Sequence, residues 1–99
     1  MTTKEAKKKL LDELFFFTAS PTRELLYYRS KCILAAYDDL LRASHHKPLY
    51  KKWGERFRFV AQWAEDFKER GFTNDKNHML AVGYIWAIRE KLYESCLKD

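Results

Sequence analysis

Three histidines, two cysteines and the adjacent carboxylates Asp38–Asp39 and Glu65–Asp66 are the groups in this chain best suited to metal binding or catalysis, and their spacing argues against both. Zinc needs three or four convergent ligands, but Cys32, Cys96, His45, His46 and His78 lie in three separate regions. On a helix His45 and His46 would diverge. Asp38–Asp39 and Glu65–Asp66 are sequence neighbours, so each pair splays by about 100° around its helix and makes a poor catalytic dyad. Cys96 and His78, read on one helix, sit roughly 27 Å apart along its axis, too far for a thiol and its base. No phosphate-cradling glycine loop is present. These absences predict no catalytic residue, no metal and no cofactor, and they put an enzyme last among the readings.

Binding chemistry is better represented. Lys47, Lys51, Lys52, Arg56 and Arg58 crowd one half of a helical stretch, and Glu65, Asp66 and Glu69 crowd the other. The helix macrodipole prefers the reverse order, by about 0.3–1 kcal/mol per charge near an end. Either neighbouring helix ends compensate, or the basic end serves a partner. With Phe57 placed inward, Phe59 and Trp63 fall on the opposite face of the same helix, beside Lys52, Arg56, Asp66 and Arg70. Rings supply contact area, and cations supply charge pairing or hold a ring face. The expected partner-binding set is therefore Lys52, Arg56, Phe59, Trp63 and Arg70, with Lys47, Lys51 and Arg58 as an electrostatic rim. A helix sandwiched between neighbours would instead bury both faces.

A second basic cluster, Lys4, Lys7, Lys8 and Lys9, opens the chain, diluted by Glu5, Asp12 and Glu13. A solvated helix end explains it, and contact with phosphates or anionic lipid is the sharper alternative. Tyr27 should border the core, with Tyr28 outside it. A DNA-reading helix-turn-helix would need a polar second helix, and the segment after Gly71 is too apolar to serve.

Four helices, over residues 3–17, 21–43, 48–70 and 74–97, would position these groups. Thr2 and Glu5 form a capping box at the first. Ser20–Pro21 reads as the start of the second and Pro48 as the start of the third. Gly71 supplies a left-handed stop, with Phe72 folding back onto Phe67, and Thr73 caps the last helix. The first helix presents Ala6, Leu10, Leu11, Leu14 and Phe17 inward. In the second, Leu26, Ile33, Leu34, Tyr37, Leu40 and Leu41 form the apolar stripe. Tyr50, Trp53, Phe57, Val60, Ala64 and Phe67 alternate at spacings of three and four along the third, the seam of a helix packed lengthwise. The fourth is apolar nearly all round, so it is either central or covered by a second subunit. His78 falls near its inner face and reads as a hydrogen-bonded core histidine. Short connections favour an all-α, up-down-up-down four-helix bundle in one domain, residues 1–99.

Composition agrees. Three glycines and two prolines are too few for a hairpin-rich β fold, and 46% apolar residues argue against disorder. A net charge of +5 favours an acidic partner. No apolar run is long enough to span a bilayer, and two widely separated cysteines suit buried free thiols in a reducing, cytoplasmic setting. The leading expectation is a small non-enzymatic binding protein that modulates or inhibits a larger protein, a nucleic-acid-processing one being one option, through the basic and aromatic face of residues 48–70. Many phage and mobile-element modulators share this outline, by fold-level analogy only. Direct nucleic-acid binding and a structural homodimer are the alternatives.

Overall fold

The computed structural model describes residues 1–71 and 75–98. Helix α1 spans Thr3–Thr18, α2 Arg23–Ala43, α3 Pro48–Lys51, α4 Gly54–Arg70 and α5 Asp75–Lys98. There is no strand among the described residues. The long helices form a four-membered ring in which α1 packs on α2 and α5, and α4 packs on α2 and α5. Each neighbour is antiparallel. Thr3 at the start of α1 donates to the carbonyl of Ala43 at the end of α2 at 3.1 Å, and Tyr37 meets Phe57 while Tyr27 meets Lys68 along α2 and α4. Phe59 meets Tyr84 and Trp63 meets His78 along α4 and α5.

The predicted inner faces hold. Ala6, Leu10, Leu11, Leu14 and Phe17 are buried, as are Ile33, Tyr37 and Leu40, with Leu26, Leu34 and Leu41 packed at the core margin. Thr2 closes the expected capping box with Glu5. That hydrogen bonding, the backbone bond first, holds the Glu5 carboxyl below its ordinary range. At α2 the prediction is displaced by two residues. Thr22, not Ser20, caps the helix by accepting from the Leu25 amide at 3.2 Å. The Ser20 hydroxyl is instead spent on α1, donating to the Phe16 carbonyl at 2.7 Å. Pro21 therefore precedes the helix rather than opening it.

The stretch read as one helix over residues 48–70 is two. Pro48 does open the first piece, but the chain breaks between Lys51 and Gly54. The buried Tyr37 hydroxyl donates to the carbonyls of Tyr50 at 2.7 Å and Lys51 at 3.1 Å. In a continuous helix those carbonyls would accept from the amides four residues on. Gly54 permits the approach, because a Cβ there would stand 3.3 Å from that hydroxyl. Gly71 ends α4 in the left-handed conformation, φ 78°. The expected return of Phe72 onto Phe67 and the cap at Thr73 lie outside the described residues.

Candidate functional site

The predicted site divides once it is placed on the bundle. Trp63 is not on an outer face. It is 4% exposed, packed against Phe17 at 6.4 Å, Phe67 at 5.7 Å and His78 at 5.4 Å between ring centroids. The reason is that α4 touches two neighbours. Phe57, Val60 and Ala64 are buried on the seam, and the adjacent face carrying Trp63 and Phe59 turns toward α5. Phe59 is half-buried, edge-on to Tyr84 at 5.7 Å. Arg56 is exposed and lays its guanidinium over the same Tyr84 ring at 5.5 Å, while Arg70 is exposed at the far end of the helix. The five residues expected to make one surface are thus a core ring, a groove-filling ring and cations at both ends of α4.

The rim fares differently. Lys47, Lys51 and Arg58 are all exposed, as is Lys52 of the partner-binding set, and the fold adds to them. Because α1 begins where α2 ends, Lys4, Lys8 and Lys9 come to the end of the bundle that carries the α2–α3 connection, α3 and the start of α4. Two basic clusters forty residues apart in sequence therefore share one end. Some of the charge is offset there. Asp39 binds Lys9 at 3.2 Å and Arg42 at 3.2 Å, and Lys8 pairs with Asp12 at 3.0 Å. The macrodipole does not explain the excess. Two helix N-termini and two C-termini alternate at this end, so their partial charges largely cancel.

On the α2–α4 side of the basic end lies a groove of about 500 Å³ between α2 and the start of α4. Tyr37, Leu41 and Gly54 lie along it, together with His46, Lys51, Lys52, Arg58 and a single carboxylate, Glu55. His45 and His46 adopt the left-handed conformation in succession, φ 54° and 56°. Left-handed non-glycine residues cost roughly 1–2 kcal/mol each. The turn is held by α2 unwinding: the His46 amide donates to the Leu41 carbonyl at 2.7 Å and His45 to Arg42 at 3.2 Å. This tight return is what sets His46 against the groove. The sequence marked His45 and His46 only as part of a connection; histidine is one of the types enriched at positive φ, but type alone does not fix two such residues in succession.

Other expectations change with the fold. His78 is exposed at the surface, its ring against the edge of Trp63, not a core histidine. Cys32 and Cys96 are free, as expected, but half-buried rather than buried. Tyr28 is exposed and Tyr27 half-buried, the latter with the Lys68 ammonium 4.1 Å from its ring centroid. Among the described residues no group of three or more histidine, cysteine, aspartate or glutamate side chains could hold a metal. No helix among them is long and apolar enough to cross a membrane.

The chain matches no family model, no curated protein and no solved structure.

Proposed function

We propose that this protein is a non-enzymatic nucleic-acid-binding accessory protein whose basic end contacts the phosphodiester backbone. One observation carries the reading: the bundle gathers the α1 lysines and the α3–α4 cations at a single end, where His46, Lys51, Lys52 and Arg58 edge a groove between α2 and α4. Phosphate contacts by exposed lysine and arginine supply most of the sequence-independent affinity of such proteins. Exposed rings at this end are few. Tyr50 and Trp53 are buried, which removes the stacking platforms that favour single strands. A duplex backbone is accordingly the better match.

The expected modulator acting on a larger protein would use the same cations against an acidic face. It loses Trp63 as a contact, because that ring is in the core.

Anisotropy of a labelled duplex at increasing salt tests the proposal. Each phosphate contact contributes about −0.9 to the slope of log affinity against log salt, so a slope of roughly −3 to −5 is expected from the groove cations and one or two α1 lysines. A flat salt response overturns the reading. So does equal competition by polyglutamate of matched charge, which would transfer the basic end to an acidic protein partner.

A further inference from the structure

Helix α5 is apolar on two opposite sides. Ala81, Ile85, Ile88 and Leu92 are buried in the bundle. On the other side Met79, Trp86, Tyr93 and Leu97 stand 73%, 48%, 47% and 69% exposed. Gly83 and Glu90, also exposed, complete a stripe at spacings of four and three residues. That repeat is the seam of a helix pair, and a stripe of this length, apolar but for Glu90, is a surface expected to be covered.

We propose that the cover is a second copy of this chain, in a two-fold antiparallel pairing of α5 on α5. The middle of the stripe fits itself. A side chain at Gly83 would meet nothing within 4 Å, and the half-exposed Trp86 ring, which carries the Arg89 guanidinium 4.2 Å from its centroid on one face, lies one turn away. With the two-fold axis between these residues, Trp86 of each copy covers Gly83 of the other. The same register brings Lys76 near the start of each α5 to Glu94 near the end of the other. Both are exposed, and both lie on the same flank of the stripe, the flank that an antiparallel two-fold brings together. The charges are complementary between copies, and symmetry makes the pair twice. Size is consistent as well. The bundle is 39 Å long and 20–22 Å across, so one long face is just large enough for the ~800 Å² per partner of a standard interface. Because α5 ends at the basic end, an antiparallel pair points the two basic grooves to opposite poles.

Sedimentation velocity from low micromolar to submillimolar protein is the test. The expected result is a concentration-dependent dimer that Gly83→Gln weakens at least ~tenfold without lowering the melting temperature of the monomer. Glutamine is the better helix former at an open site, so folding and association should move in opposite directions. Lys76→Glu and Glu94→Lys should each weaken the dimer, and the double reversal should restore it. A wild-type monomer throughout the range overturns the proposal, as does a dimer indifferent to Gly83→Gln. Failure of the double reversal to rescue overturns the register. None of these outcomes bears on the salt-dependent duplex binding of the other end.

Discussion

The Tyr37 hydroxyl donates 2.7 Å to the Tyr50 carbonyl and 3.1 Å to that of Lys51 where α3 gives way to α4, sharing the Tyr50 carbonyl with the Trp53 amide at 3.1 Å. It thereby makes the break between α3 and α4 a satisfied structure rather than a defect. Tyr37→Phe keeps the ring against Phe57 and removes the donor. The Tyr50 carbonyl keeps its bond from the Trp53 amide at 3.1 Å, so the loss is that of one hydrogen bond, about 0.5–1.5 kcal/mol, and in a domain of this size each kcal/mol lowers Tm by roughly 4–8 °C. Thermal unfolding followed by circular dichroism should show that loss with helical content intact at low temperature.

The same tyrosine sets an alkaline limit. Burial, the largest cause, raises its pKa above the ordinary value of 10.0. A group whose folded pKa is raised binds its proton more tightly in the native state. Its contribution is complete below the unfolded pKa and is lost as pH climbs toward the folded one. Stability should therefore fall above about pH 10, and denaturant midpoints for Tyr37→Phe should fall less steeply over the same range.

Trp63 separates a core role from a contact role. Truncating a buried tryptophan costs about 3–5 kcal/mol, a large share of the ~5–15 kcal/mol that holds a small domain. Trp63→Ala should lower Tm severely or prevent folding. Arg56→Ala removes an exposed cation from the Tyr84 ring, an interaction of about 0.5–1 kcal/mol at such sites, and should leave the fold standing. Urea titrations of the two variants, measured side by side, would reverse this assignment if Trp63→Ala proved the milder.

How much of this was legible in the residues depends on which neighbours a face meets. The inward stripes of α1 and α2 could be read because one apolar face against one polar face fixes the orientation of a helix. Pro48 and Gly71 could be read because each restricts the backbone whatever surrounds it. Trp63 could not, since a helix with two packed neighbours buries more than one stripe, and a wheel drawn from Phe57 shows only one. The α3–α4 break was hidden for a related reason: the donor that compensates it sits on α2, and no local propensity at residues 51–54 records that. At the site, the cations of α3 and α4 were identified by type, but their union with the α1 lysines is a consequence of antiparallel packing.

His45 offers a stability gain that should leave the groove chemistry in place. Its φ of 54° is one that glycine adopts freely. His45→Gly should stabilise the protein by about 0.5–1 kcal/mol, the relief of left-handed strain less the greater entropy of the unfolded chain. His46, which lines the groove, is untouched by the change. A rise in Tm with unaltered duplex affinity is the expected pair of results, and a fall in Tm would show that the His45 side chain holds the turn.

Lys52 and Arg58 carry the remaining prediction, because they lie along the same groove yet belong to different elements. Lys52 follows α3, and Arg58 stands one turn into α4. Both side chains are exposed, so replacing either with glutamine should change Tm by no more than about 0.5 kcal/mol equivalent. If each neutralises one phosphate, each replacement should make the salt slope shallower by about 1 and weaken binding uniformly across duplex sequences. The double variant should lose about twice that slope. A cation that merely raises the general potential would lower affinity at low salt and leave the slope unchanged, so slope and affinity measured together separate direct contact from long-range attraction. Loss of binding to one sequence only would point instead to contact with base edges, for which α3 and α4 would have to enter a groove rather than lie along the backbone.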